Sequence, residues 1–212
     1  MLSLEAARAW YHAHDPVHGF DHVERVYRME ERLALAEGAD LEIVRAAVLL
    51  HDASGSHPAQ ETERESHHHA SAGFASEVLE GEGWPAERIQ AVLHCIRAHR
   101  FRDDSEQPQS LEAQVLFDAD KLDAIGATGV ARAIGYSVQA GQAAYSPPSA
   151  QFLQTGKKEA GEAHSAYHEY LFKLMMLKDR LHLPSARRMA EDRHRILVAY
   201  FEALRAEAEG KS

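Results

Sequence analysis

One cysteine in 212 residues, Cys95, leaves no partner for an internal disulfide and fits a reducing cytosol. No apolar run approaches the roughly 20 residues that a membrane-spanning helix needs. The opening MLSLEAARAWYHAHDP lacks a basic start followed by an apolar stretch, so no secretion signal is expected. The expectation is a cytoplasmic protein with no membrane partner. Positive charge is also scarce: 23 Lys and Arg stand against 33 Asp and Glu, for a formal net charge of −10 with His neutral. Non-specific duplex binding depends on neutralising phosphates with Lys and Arg, which disfavours nucleic acid as a partner. A polyanionic small substrate stays open, provided a metal and a few local cations offset its charge. The Gly-Lys-Ser/Thr phosphate loop, the Rossmann glycine fingerprint and the Gly-x-Ser-x-Gly elbow are all missing, against dinucleotide binding and nucleophilic serine chemistry.

Alternating strand patterns are missing as well, and helical periodicity dominates. The length suits one domain over 1–212, with 45% hydrophobic and 26% charged residues as in an ordinary globular protein. Phe20, Val23, Val26, Tyr27 and Leu33 recur at spacings of three and four with gaps, giving a helix over 20–36 that stops near Gly38. Residues 41–51 are nearly all apolar, which implies a short buried helix ending at His51-Asp52. A loop is expected over 53–60, then a helix from about 62 to 80 that breaks at GEGWP, with Pro85 opening the next helix to about His99. Ser110 is a plausible N-cap for a segment over 111–140, read as two helices meeting near Gly126 or Gly129. Residues 141–160 are rich in Gly, Pro and Ser, the best candidate for a mobile flap. Two long amphipathic helices, about 162–181 and 185–208, close the chain and can pack within it or across a homodimer. The fold class expected is all-α.

Histidine is plentiful: there are 15, more than one site can use. Two of them stand out together with two carboxylates: His22, the pair His51-Asp52, and Asp120, each in or at the edge of a helical pattern. Two imidazoles and two carboxylates can hold one divalent transition ion and leave positions for water and substrate. A cation so held lowers the pKa of its water and makes hydroxide available near neutral pH. Neighbours on a regular helix point about 100° apart, so His51 and Asp52 can reach one ion only at a helix end or distortion. The bland alternative is a helix C-terminus with a dipole-favoured His. Asp120 follows VLF and precedes Lys121, an awkward place for a carboxylate without a cationic partner; its plain alternative is a structural ion pair with Lys121 or with an Arg.

The order His, then His-Asp, then Asp, carried by HGFDHVERV, LLHDAS, VLHCIRAHRF, DADKLDAIGATGVARA and HEYLFKLMMLKDRL, resembles the HD-domain superfamily of metal-dependent phosphohydrolases over roughly 15–205. The long DADKLDAIGATGVAR run points to one compact bacterial branch. The resemblance implies an all-helical fold, with a core over about 18–130, and one divalent ion on His22, His51, Asp52 and Asp120. It also implies hydrolysis of a phosphorylated small molecule, most of all a nucleoside triphosphate cleaved to monophosphate and pyrophosphate, typically with manganese. Ligand softness admits Mn²⁺, Fe²⁺, Co²⁺ or Zn²⁺, with Mg²⁺ not obligatory. Many superfamily members place another acidic or Lys residue just after the pair; here ASGSHP follows, with no carboxylate until Glu61. The acid–base role is therefore unassigned or falls to Asp52. Rival readings are a 5′-nucleotidase, a cyclic-nucleotide phosphodiesterase, and a non-enzymatic metal-binding helical protein.

Further candidates each carry a plain alternative. Lys121 can contact a phosphate, or form a salt bridge to Asp118 or Asp123. Arg25, three residues after His22 on the same face, can reach a phosphate, orient Asp52, or pair structurally. His99 can bind phosphate, give a proton to a leaving oxygen, join a second metal, or merely end its helix. His18 is expected at the rim. His67, His68 and His69 fan around a helix and read as a solvated face. His168 and Lys173 line the pocket or pack.

Overall fold

In the computed structural model the described residues are 2–11, 19–53, 61–100 and 106–211, with only the backbone described at 61–67. His18, the loop over 54–60, the side chains of Glu61 and His67, and residues 101–105 of the polar connection lie outside them. The fold is all-α. Its helices are α1 (Leu4–Ala7), α2 (Phe20–Glu37), α3 (Leu41–Leu50), α4 (Glu61–Gly81), α5 (Ala86–Ala98), α6 (Leu111–Asp123), α7 (Gly126–Gln139), α8 (Ala150–Thr155), α9 (Ala166–Phe172) and α10 (Pro184–Ala208). Two compact units are resolved, one of residues 1–121 and 181–186, the other of 122–180 and 187–212.

In the first unit α3 is the central element, packed against α2 and α5, while α4 packs on α5. Local chemistry sets its boundaries. Asp40 caps α3 by accepting from the N–H groups of Glu42 and Ile43, and Gly38 ends α2 in the left-handed region at φ 81°. Ser110 Oγ accepts from the Ala113 N–H at the start of α6, the cap expected of it. Every α3 residue from Ile43 to Leu50 except Arg45 is buried, as its composition requires. His68 is buried too, at 1% exposure, which corrects the solvated-face reading for that residue. It shares the buried stripe of Ala72, Ala75 and Leu79 on α4, the helix that packs on α5 and α3. His69, by contrast, is exposed.

The start of α10 is received by two carboxylates of this unit. Asp118, fully buried, accepts from the backbone N–H groups of His182 (2.9 and 3.1 Å) and Leu183 (2.7 Å), and Glu37 accepts from Ser185 at 2.9 Å. Asp118→Ala leaves those donors without a carboxylate, and a buried donor deprived of its partner costs its desolvation. Urea unfolding should show a loss of roughly 2–4 kcal/mol; a change within 0.5 kcal/mol, the usual scatter of neutral substitutions, would contradict it.

In the second unit α7 packs on α9, and Tyr170 stacks on Phe201 of α10 at 4.5 Å between ring centroids. Gly126 opens α7 at φ 77°, and a Cβ on Gly129 would stand 2.2 Å from the Ala124 carbonyl oxygen. The segment expected as a flap contains α8 and is fastened by one carboxylate. Glu162 accepts from the Ser149 N–H and hydroxyl and from the Glu159 N–H, each at 2.7 Å, and from His168 Nε2 at 3.1 Å. These donors hold the Glu162 carboxyl down at about 2 against the pull of burial. His168 also shares a 2.7 Å contact with Ser165 Oγ. The helix expected over 162–181 is instead the short α9 followed by a 3₁₀ turn over Leu174–Arg180. There Leu174 and Leu177 are buried while Met175 and Met176 are exposed, the three-residue period of a 3₁₀ helix.

Candidate metal centre

Four helix ends or edges of the first unit bring the candidate ligands together. His22 lies in the first turn of α2, begun by the extended backbone of Gly19, and is 1% exposed. His51 is the C-cap residue of α3 and is fully buried. Its Nδ1 lies 2.7 Å from the Val48 carbonyl oxygen. A carbonyl can only accept, so Nδ1 carries a proton, and it is the neutral ring's Nε2 that can offer a lone pair to a cation. That buried Nε2 makes no hydrogen bond among the described residues. His99, the C-cap residue of α5, repeats the device: Nδ1 donates to the Ile96 carbonyl at 2.6 Å, and Nε2 is turned inward.

Asp52 stands among these three imidazoles. Its Oδ2 is 3.5 Å from His51 Nε2 and 4.0 Å from His22 Nε2, and its Oδ1 is 3.7 Å from His99 Nε2. His51 and Asp52 do reach one point from adjacent positions, because α3 has ended: residues 51–53 form a turn closed by the Ala53 N–H on the Leu50 carbonyl. His22, His51 and Asp52 can each offer one donor atom with all three within 4.8 Å of one another. Asp120 adjoins this trio through Oδ1, 3.4 Å from His22 Nε2.

Lys121 Nζ donates to Asp120 Oδ2 at 2.5 Å and lies 5.0 Å from the Phe117 ring centre, with the residue only 7% exposed. The carboxylates named as its alternative partners are engaged elsewhere: Asp118 with the backbone at 182–183, and Asp123 with Arg132 at 2.8 Å. Burial pushes the Asp120 carboxyl up, but Lys121 and the imidazoles outweigh it and hold the group well below the usual carboxylate range. Burial, reinforced by His51 and Lys121 against the pull of Asp52, lowers His99 to about 3, so its imidazole is neutral. Arg25 pairs with Asp21 at 2.5 Å on the surface of α2. His94 pairs with Glu106, an arrangement that also holds Arg97. Lys173 pairs with Glu169. His99 is the imidazole whose convergence the spacing alone did not show; its signal was its place at a helix end, the position His51 also occupies.

The donor set is nitrogen and oxygen, buried, with two imidazoles locked in the tautomer that ligates. Such residues fit a divalent cation. The fold and this cluster together define a metal-dependent hydrolase of the all-helical kind.

Comparison with known proteins narrows that class. Residues 19–125 match the HD domain, and 196 residues of the chain are 33% identical to YpgQ of Bacillus subtilis, an uncharacterised protein, covering 91% of this chain and 85% of that one. The chain belongs to the HD domain family and is a metal-dependent phosphohydrolase. Among solved structures, B. subtilis YpgQ in complex with ADP superposes with a TM-score of 0.72 at 28% identity, covering 99% of this chain and all of that one. A Lactobacillus plantarum protein gives 0.76 at 27%, covering 99% and 100%. An HD-superfamily hydrolase of Bacillus thuringiensis gives 0.69 at 26%, covering 97% and 94%. No described helix is long and apolar enough to cross a membrane.

Proposed function

We infer that the protein hydrolyses a nucleoside triphosphate to the monophosphate and pyrophosphate, with His22, His51, Asp52 and Asp120 holding one divalent ion, Mn²⁺ by preference. The observation that carries this reading is the convergence of three imidazoles on Asp52, with Asp120 beside His22. The nucleotide is supported by the ADP bound to the B. subtilis relative, which is similar along nearly the whole chain. A bound cation polarises a phosphoryl oxygen and supplies a nucleophilic water near neutral pH.

The chain's own residues do the rest. His51 and His99 have Nε2 atoms whose orientation is held by backbone carbonyls, so neither ring has to turn to accept a hydrogen bond or a cation. His99 is thereby an acceptor that orients water rather than an acid that protonates a leaving group. Lys121 restrains the outer oxygen of Asp120, and its remaining N–H groups offer positive charge to a phosphoryl oxygen. Arg25, half-exposed and paired with Asp21, stands as a contact for a substrate's outer phosphates.

A panel of nucleoside tri-, di-, mono- and cyclic phosphates incubated with Mn²⁺, scoring orthophosphate and pyrophosphate separately, tests the assignment. Pyrophosphate released in equal amount with monophosphate is the expected result. Orthophosphate alone from a monophosphate identifies a nucleotidase, and ring opening a cyclic-nucleotide phosphodiesterase. A metal-loaded sample inert toward all of them sinks the assignment.

A further inference from the structure

The end of α3 is closed by a residue far away in sequence. The last carbonyls of a helix have no intrahelical partner and need one from outside. For α3, the Val48 carbonyl receives His51 Nδ1 and the Leu50 carbonyl receives the Ala53 N–H. The Leu49 carbonyl receives the Tyr11 hydroxyl at 3.0 Å, across 38 positions of sequence. Tyr11 thus closes the final turn of α3, two residues before His51. Its ring stands 5.5 Å from that of Phe20, the residue that opens α2 two positions before His22, and the Arg8 guanidinium covers Phe20 from 4.6 Å. One buried side chain therefore touches the roots of two of the ligand-bearing helices, α2 and α3.

We propose that Tyr11 is a positioning residue of the metal centre, its hydroxyl closing α3 so that the His51 and Asp52 side chains turn toward His22 together. The inference rests on the reading that this cluster holds the cation. Without the hydroxyl, the Leu49 carbonyl loses its hydrogen bond, so the turn that aims two ligands loses a fastening. Tyr11→Phe removes only that oxygen and keeps the ring against Phe20.

The test uses the full chain and Mn²⁺ as the probe, with free ion followed by electron paramagnetic resonance before any substrate is added. Wild type is measured first; failure to bind Mn²⁺ there overturns the metal reading and this proposal alike. Given wild-type binding, Tyr11→Phe should melt cooperatively yet bind Mn²⁺ about tenfold more weakly, the range seen when an outer partner of a ligand is lost. At saturating Mn²⁺ its kcat should stay depressed while KM is little changed. Phe20→Leu, which loosens the same packing but leaves the hydroxyl, should keep Mn²⁺ affinity within about twofold of wild type, below that range. Wild-type affinity in Tyr11→Phe, or an equal loss in Phe20→Leu, overturns the proposal while leaving the metal reading intact. If Tyr11→Phe fails to fold, exchange of the Tyr11 hydroxyl proton in the wild-type chain decides. A hydroxyl proton protected from exchange supports its bond to the Leu49 carbonyl, and one exchanging freely with water overturns it.

Discussion

His51→Ala should bind no Mn²⁺ at micromolar concentrations and lose turnover by well over the roughly 10–100-fold that follows loss of a mere outer partner. The residue is fully buried, its Nδ1 is committed to the Val48 carbonyl, and its Nε2 has no hydrogen bond among the described residues. Removing it deletes one of three donors that lie within 4.8 Å of one another, and opens a cavity beside the Asp52 carboxylate. The stability readout separates the two consequences. Metal-free wild type and metal-free variant should differ modestly in melting temperature, whereas added Mn²⁺ should raise only the wild-type value, because a ligand that binds the native state stabilises it by mass action. Turnover retained by His51→Ala in the absence of bound metal would refute the proposed chemistry outright.

Glu30→Gln should stabilise the protein at pH 8 by roughly 4–5 kcal/mol relative to wild type and do almost nothing at pH 4.5. Glu30 lies on the buried face of α2 at 0% exposure, and neither of its carboxyl oxygens has a hydrogen bond among the described residues. Burial, with Glu31 adding and Arg45 opposing, raises its pKa from 4.5 to about 8. Below pH 4.5 the carboxyl is protonated whether the chain is folded or not, and the group favours neither state. As pH rises above that value the unfolded chain releases the proton while the folded chain keeps it. Stability therefore falls by about 1.4 kcal/mol per pH unit, and the loss is complete once pH passes about 8. The amide keeps the volume of the side chain and has no proton to release, so its stability profile lacks this slope. Urea titrations of both chains at intervals from pH 4.5 to 8.5 give the comparison directly. Parallel profiles would show that the Glu30 carboxyl finds a charged environment the fold does not reveal.

The helices that carry the centre were legible because their boundaries are local events. Asp40 and Ser110 cap by reaching two or three residues ahead, Gly38 ends a helix by its own backbone freedom, and the apolar run from Ile43 to Leu50 can only be buried. His22, His51, Asp52 and Asp120 could be named as a group because two imidazoles and two carboxylates in helical settings suggest one ion; the fold gathers the first three within 4.8 Å and sets Asp120 3.4 Å from His22. What local pattern could not show is anything settled by a partner far along the chain. Lys121 lies next to Asp120 in sequence, yet nothing in the spacing distinguished it from Asp118 or Asp123, whose partners are a backbone turn and Arg132. Burial of His68 depends on which face of α4 packs inward. The fastening of residues 141–165 depends on one glutamate gathering donors from three directions, and a Gly- and Pro-rich composition reads the same with or without it.

Both His51 and His99 are aimed by oxygens of the main chain three positions earlier, so no side chain has to be retained to select their tautomers. Val48 and Ile96 could be exchanged for other residues of suitable bulk, and the imidazoles would still face inward as long as the helices persist. The orientation of these two rings is consequently inherited from the path of the polypeptide, which lets the surrounding interior drift in composition while the chemistry stays put.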